Sequence, residues 1–339
     1  MRSATSCAVT TSPRWPLPAD LLSSGVQVLL ATFDGERFLR EQIDSILAQS
    51  LGETVTILAR DDGSTDSTQQ ILDDYSRRFP DRLRVLPAGT PGGGAKENFL
   101  ALLQASTAPY IAFADQDDVW LPNKLELELT AMHALEAEHG PSTPLLVFSD
   151  LRVVDDTLAP ISASFWRHRN LNPRNIHRLG RLLMENVVTG CTALLNAPLA
   201  NLARSMPPSA HMHDWWVALL ASTLGHATAL DQQLVLYRQH QNNVIGASRS
   251  APPLGVRARL QHERCRERWQ QSVHQARDLL KLHGADMPAA TRRQLEDLLR
   301  CDASPSAAFR LTTMLRRGYF ISKPQANLAT AWFLLKKTG

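Results

Sequence analysis

The sequence is short of cysteine, of long apolar runs and of repeats, and each shortage excludes something. Its four cysteines, Cys7, Cys191, Cys265 and Cys301, are scattered, with no CxxC pair and no metal-ligand spacing. That fits a reducing cytoplasm and argues against a disulfide framework or a structural zinc site. No stretch approaches the ~18 consecutive apolar residues of a membrane span. The opening stretch, MRSATSCAVTTSPRWPLPAD, lacks the sustained apolar core of a secretory signal. Residues 1–24, rich in Ser, Thr and Pro, are expected to form a disordered tail. A P-loop is also lacking. Gly89 and Gly94 have GxxxxG spacing, but Ala95 intervenes before Lys96, and Glu97 stands where Ser or Thr is required.

What remains is a chain of 339 residues, 44% hydrophobic and 20% charged, long enough to bury a substantial core. The net charge of +3 conceals an asymmetry. From Arg249 onward there are 17 Lys/Arg and 7 Asp/Glu, which leaves 19 basic and 26 acidic residues before it. An acidic front and a basic rear suggest two jobs, or one job done against a surface.

The front alternates short apolar runs with amphipathic stretches. VQVLLA, VTILA, LRVL, YIAFA and LLVFS read as strands. Between them Leu39, Ile43, Ile46 and Leu47, then Ile71, Leu72, Tyr75 and Phe79, fall at helical spacing. The same holds for Phe99, Leu100 and Leu103, and for Leu125, Leu129, Met132 and Leu135. Asp66, with Gln69 three residues on, resembles a capping box. Alternating β and α elements with fully apolar strands predict a parallel sheet covered on both faces. Ligands of such sheets bind at the carboxyl ends of the strands. Thr32 and Asp34, Asp61 and Asp62, the glycine-rich segment, and Asp115 to Asp118 all follow strands, so they are expected at one crevice.

Three acids crowd the segment YIAFADQDDVWLP, where a buried strand ends. Like charges so close repel unless a cation or hydrogen-bond donors neutralise them. A D-x-D at a strand end has the oxygen chemistry that Mg²⁺ or Mn²⁺ uses beside substrate phosphates. A turn or cap cluster before LPNKLE needs the same residues. ARDDGSTDST can be a polar turn into a capped helix, or can present a carboxylate to a pyrimidine imide N–H. Lys96, at a helix start, could approach a diphosphate. HMHDWWVALL places Asp214 before Trp215 and Trp216, either as a helix cap with core tryptophans or as a general base beside an aromatic platform for sugars. His211 and His213 flank it at a spacing that suits a metal, without an obvious acidic third ligand. His240, in YRQHQNN, is either a ligand or a structural histidine.

Taken together, VLLATFDGERFLREQIDSILAQS, ARDDGSTDST, FADQDDVWLPNKLE, NVVTGCTALLNAPL and HDWWVALLASTLG…YRQHQNNVIG resemble the family 2 glycosyltransferases. The likeness is strongest to the branch known as rhamnosyltransferases of bacterial cell-surface polysaccharides, and it covers about Val26 to Gly246. The resemblance implies a GT-A fold, a mostly parallel doubly wound α/β sheet, over residues 25–248, with a helical basic C-terminal region over 249–339. It implies a nucleotide-diphospho-sugar donor (dTDP-L-rhamnose first), a glycan or lipid-linked saccharide acceptor, a divalent cation (Mg²⁺ or Mn²⁺) and inversion at the anomeric carbon. By position, Ala31, Thr32 and Glu36 border the nucleoside, Phe33 and Gln116 belong to the same donor site, and Asp62 meets the pyrimidine. Asp115 lies on the ribose side, Asp117 and His240 hold the metal, Asp214 is the catalytic base, and Gly190 and Cys191 lie on the acceptor side with Trp215 and Trp216. The sequence departs from the family pattern at Ala59–Arg60, at Gln241 after His240 where glycine is usual, and in a longer glycine-rich insertion around 91–94.

Two other readings compete. A non-catalytic nucleotide-sugar or carbohydrate-binding subunit would keep the fold, but has no use for a general base. A nucleotidyltransferase would want a GxGxRL-like loop after the first strand, and TFDGER is not one. In the C-terminal region, Trp332 and Phe333 beside Lys336 and Lys337, and Tyr319 and Phe320 beside Arg316 and Arg317, favour peripheral contact with anionic lipid at the inner face of the plasma membrane over a nucleic-acid arm.

Overall fold

The computed structural model describes residues 25–88, 93–240 and 254–336, with the backbone alone over 254–262. The expected tail 1–24, most of the glycine-rich segment, the end of the last motif and the boundary at 248/249 lie outside the described residues.

The first half follows the alternation. β1 (Val26–Thr32), α1 (Leu39–Leu47), β2 (Val55–Asp61), α2 (Thr68–Arg78), β3 (Leu83–Val85), α3 (Gly94–Ala105) and β4 (Tyr110–Asp115) come in turn. Each helix turns its apolar stripe inward: Leu39, Ile43 and Ile46 from α1, Ile71, Leu72 and Tyr75 from α2, Phe99, Leu102 and Leu103 from α3. β1 pairs in parallel with β2 and with β4, and β2 with β3. The register sets Thr32 across from Asp61 and Ala31 across from Asp115, so three strands deliver their polar ends to one edge.

Beyond β4 come β5 (Val119–Trp120), α4 (Lys124–His139), β6 (Leu145–Val154), β7 (Pro160–Ser162), α5 (Phe165–Arg169), α6 (Leu179–Met184), β8 (Ala193–Asn196), α7 (Ala197–Ala203), α8 (His213–Leu224) and β9 (His226–Arg238). The sheet order is β3-β2-β1-β4-β8-β6-β9-β5, with β7 on β6. The fifth apolar run therefore does not lie beside β4, as simple alternation suggests. β8 inserts antiparallel to both β4 and β6, and β6 runs parallel to β9. β8 is four residues, all buried, and it enters from a short 3-10 turn at Gly190–Thr192, so no crossover helix was needed to place it.

α9 (Leu254–His283), α10 (Ala289–Ala303), α11 (Ala307–Arg317) and α12 (Pro324–Lys336) form the expected helical C-terminal region. It is no loose appendage. Trp269, Val273, Leu295 and Leu334 belong to the same contiguous core as Val28 and Phe113. Ser272, on α9, donates its hydroxyl to the Leu183 carbonyl of α6, and Trp269 Nε1 donates to Asp302 at 2.8 Å.

Candidate functional site

On the donor side the two acids of RDDGS have separate roles. Asp61 is spent on its own turn. It accepts from the Thr32 hydroxyl at 2.9 Å and from the backbone N–H groups of Gly63 and Ser64 at 3.2 and 2.8 Å. Gly63 sits at φ +89, where a side chain would be strained. Asp62, also buried, accepts from the N–H of Gly94 at 2.7 Å through Oδ2, and among the described residues nothing holds its other oxygen.

The β1–α1 loop is laced to the β2–α2 loop. Asp34 N–H donates to Ser64 Oγ, Gly35 N–H to Thr68 Oγ1, and Glu36 N–H to Asp66 Oδ2, at 2.8, 2.8 and 3.0 Å. Glu36 returns a bond by accepting the Ser67 N–H at 3.0 Å. The expected Asp66–Gln69 box is half formed: Asp66 Oδ1 accepts the Thr68 N–H at 2.9 Å, but Glu36, from another loop, takes the Ser67 N–H, and Gln69 bonds Asp73 instead. Glu36 thus spends one carboxylate oxygen on the start of α2. Ala31 is partly buried and Thr32 is fully committed to Asp61, whereas Phe33 stands 52% exposed beyond them. Gln116 grips the Phe33 backbone from both sides, accepting its N–H and donating to its carbonyl, each at 2.7 Å. A Cβ on Gly35 would lie 2.3 Å from Gln116 Oε1, so the glycine is what lets the two loops meet.

In the acidic loop, Asp117 Oδ2 meets His240 Nε2 at 2.8 Å. Asp118 is fully buried; its Oδ1 accepts the Arg238 N–H at 3.2 Å, and Oδ2 has no partner among the described residues. Asp115 is partly buried, and its carboxyl is pushed up to about 7 by burial and by the charges of Asp117 and Asp214. Asp118 is raised well above the carboxylate range by the same means. The loop is braced by a residue that sequence reasoning passed over. Arg238, buried at the end of β9, donates to the carbonyls of Asp117 at 2.8 Å and Asp156 at 2.7 Å, pairs with Glu41, and lies 4.4 Å over the Phe38 ring. The only signal was one arginine after the apolar run LVLY.

These residues fit a divalent cation. The Asp117 oxygen and the His240 nitrogen lie 2.8 Å apart, both donor types that such a cation takes, and the Asp118 Oδ2 without a hydrogen bond belongs to the same loop. Ligand atoms of Asp115, Asp118 and Cys191 also lie within 4.8 Å of one another. Burial and the charges of Asp118 and Asp115 hold the Cys191 thiol well above its ordinary value, so it stays protonated beside them.

On the opposite side, Asp214 opens α8. Its carboxyl is pushed up to about 7 by burial, against the pull of the Trp215 and Gly190 backbone N–H groups. Trp215 N–H donates to it at 2.6 Å. A Cβ on Gly190 would come 2.8 Å from His213 Nε2 and 3.7 Å from Asp214 Cβ, so only glycine passes behind the acid here. His213 joins no group of metal-binding side chains among the described residues; it is buried and stacked on Phe99 at 3.9 Å, and burial drives it down to about 3. His211 is exposed and packs edge-on to Trp215. Trp216 is fully buried, which removes it from contact with an acceptor, while Trp215 borders a cavity and anchors its Nε1 on the Leu182 carbonyl at 2.7 Å. Lys96 does not face a diphosphate. It donates to the carbonyls of Pro208 and Ala210 at 2.6 and 3.3 Å, tying α3 to the loop before α8. The cavity beside Asp214 is about 370 Å³ and is shared between the first part of the chain, through Val188 and Thr189, and the C-terminal helices, through Arg264, Arg268 and Gln271.

Residues 27–139 match the family model "Glycosyl transferase family 2". Among curated proteins, the dTDP-rhamnosyl transferase RfbG of Shigella flexneri is 26% identical over 236 residues, 65% of this chain and 74% of that one. An uncharacterised protein of Mycobacterium tuberculosis, Rv1520, is 25% identical over 227 residues; the match covers 65% of this chain and 60%, less than two thirds, of that protein. The solved structure of S. aureus TarS 1–349 in complex with UDP superposes with a TM-score of 0.54 over 91% of this chain and 88% of that one, at 15% identity, a likeness of fold. On a GT-A fold, the chain thus carries a glycosyl transferase family 2 domain over residues 27–139, beginning one residue into β1.

Proposed function

We propose that the chain is an inverting transferase that moves a sugar from a nucleotide-diphospho-sugar, dTDP-L-rhamnose first among them, to a hydroxyl of a cell-surface glycan or lipid-linked acceptor. The donor choice is supported by the printed name of the Shigella relative. One observation carries the reading: Asp214 stands on the wall of a cavity and near enough to Asp115 that its charge raises that carboxyl. A general base beside the acids at a parallel strand end is what transfer needs and simple binding does not.

In this reading Asp62 accepts a pyrimidine imide N–H with its uncommitted oxygen, and Gln116 keeps the Phe33 backbone in place around the nucleoside. Asp117 and His240 would hold a Mg²⁺ or Mn²⁺ ion. When bound, such a cation offsets the negative charge of a diphosphate leaving group. Asp214 takes the proton from the acceptor hydroxyl. The oxygen then bonds the anomeric carbon on the face opposite the diphosphate, the carbon–diphosphate bond breaks, and the configuration inverts. A base whose carboxyl titrates near 7 is matched to this task at neutral pH. Asp214→Asn should lower kcat about 10²- to 10⁴-fold while nucleotide affinity holds. Turnover at the wild-type rate would take Asp214 out of the chemistry.

Among the described residues no helix is long and apolar enough to cross a membrane. A stripe on α12 supports peripheral contact instead: Leu328, Trp332 and Leu335 are 73%, 53% and 46% exposed, with the Lys336 ammonium 4.3 Å over the Trp332 ring. Trp332→Ser should weaken cosedimentation with anionic vesicles at unchanged melting temperature.

A further inference from the structure

We propose that the C-terminal wall of the Asp214 cavity reads a negative charge on the acceptor, a phosphate ester or a carboxylate carried by the saccharide beyond the hydroxyl that is attacked. The proposal rests on the transferase reading above. Burial of Cys265, Trp269 and Ser272 fixes the rotation of α9. Arg264, Arg268 and Gln271, at i, i+4 and i+7, consequently line the cavity. Arg169, at the end of α5, and Lys323, just before α12, join them there.

None of these four cations has an ion-pair partner among the described residues. Elsewhere in the same helical region several arginines are satisfied. Asp297 takes Arg300, Arg316 and Arg317, and buried Arg310 donates to the carbonyls of Leu334 and Ser304. The two carboxylates of the wall do not cancel the set. Glu185 is occupied by the backbone N–H of Ser322, at 2.8 Å, and by its hydroxyl, which leaves the exposed Glu267 against four cations on the lining.

Arg268 is half-buried and so is the best placed of the four. Its charge reaches across the cavity, helping to hold His211 below its usual range. It does not enter the balance at Asp214, which is set by burial and backbone N–H groups. Arg264, Arg268 and Lys323 line the cavity from the C-terminal region and Asp214 from α8, so the cations serve a group of the acceptor other than the reacting hydroxyl. A guanidinium fork suits both phosphate and carboxylate oxygens.

The test is a ligand-observed NMR titration with the donor site first saturated with dTDP and Mg²⁺. The probes are glucose 1-phosphate, methyl β-D-glucuronide and, as the neutral control, methyl β-D-glucoside. Wild type should prefer at least one anionic probe about tenfold or more, and which of them it prefers identifies the charge as phosphate or carboxylate. Arg268→Gln should lose that preference and Arg268→Lys should keep part of it. Equal binding of all three probes, or a preference that survives Arg268→Gln, overturns the proposal. If Arg268→Gln does not fold, Arg264→Gln with Lys323→Gln reports on the same wall and should weaken the preference; an undiminished preference there also overturns the proposal. The dTDP binding step, read on the same sample, tests the transferase reading separately, so nucleotide binding without anion preference sinks this inference alone.

Discussion

Replacing Arg238 should damage stability and donor binding together, because one buried guanidinium ties the acidic loop to three other segments. Arg238→Met keeps most of the apolar stem but leaves the carbonyls of Asp117 and Asp156 without their donors and Glu41 without its partner. An acceptor left unsatisfied in a buried place costs about 1–3 kcal/mol. The Glu41 pair counts for less, since that carboxylate is more than half exposed. The total comes to about 2–6 kcal/mol. At roughly 2–4 °C per kcal/mol for a domain of this size, the melting temperature should fall by about 4–24 °C. Thermal unfolding followed by circular dichroism reads the first effect. Titration of dTDP with Mn²⁺ below the transition reads the second, a weakened affinity as the Asp117 loop loses its brace. A variant that melts within about 2 °C of wild type and binds nucleotide unchanged would refute the role given to Arg238.

Two further outcomes follow from buried charges. Lys124 and Glu128 pair at 2.7 Å with both side chains fully buried, the ammonium lying 4.1 Å over the Trp120 ring and Ser149 bonding the carboxylate. Lys124→Met alone should destabilise by about 3–5 kcal/mol, whereas Lys124→Met with Glu128→Leu should recover most of that loss in urea unfolding, because no uncompensated charge remains. The second outcome concerns pH. Asp214 and Asp115 are acids whose folded values, about 7, exceed the ordinary 3.8, so between those values the folded protein holds protons that the unfolded chain has released. Stability from this source is full below about pH 4 and fades as pH rises through about 7. Asp214→Asn should therefore raise the melting temperature at pH 8 more than at pH 5. An equal shift at both would contradict the burial argument.

Much of the first half could be read from the residues because buried parallel strands announce themselves as unbroken apolar runs. β1, β2 and β4 are such runs, and their polar successors mark the edge where the site lies. β9 was not legible. HATALDQQLVLYR mixes exposed and buried positions, and its pairing with β6 is interrupted by register shifts. β8 was legible as apolar but not as an antiparallel insertion, since four buried residues carry no direction. The start of α2 shows the limit of local reading: Asp66 takes the Thr68 N–H, but Gln69 turns to Asp73, and Glu36, thirty residues before Asp66, takes the Ser67 N–H. For His213 and Trp216 the residue types suggested chemistry, and packing against Phe99 and the core decided otherwise. Arg238 and Arg268 escaped for the same reason, since what each guanidinium meets depends on segments far away in the chain.

The central claim is a nucleotide site whose occupancy depends on Asp117 and a divalent ion. It is tested most directly by thermal shift with dTDP and UDP, each with and without Mn²⁺, on wild type and on Asp117→Ala. A ligand at 100 times its dissociation constant stabilises the folded state by about 2.7 kcal/mol, or about 5–10 °C here. The account predicts a shift of that order for wild type with nucleotide and Mn²⁺ together, little with either alone, and none for Asp117→Ala. A shift that ignores the metal and the substitution, or no shift with any nucleotide, would contradict it.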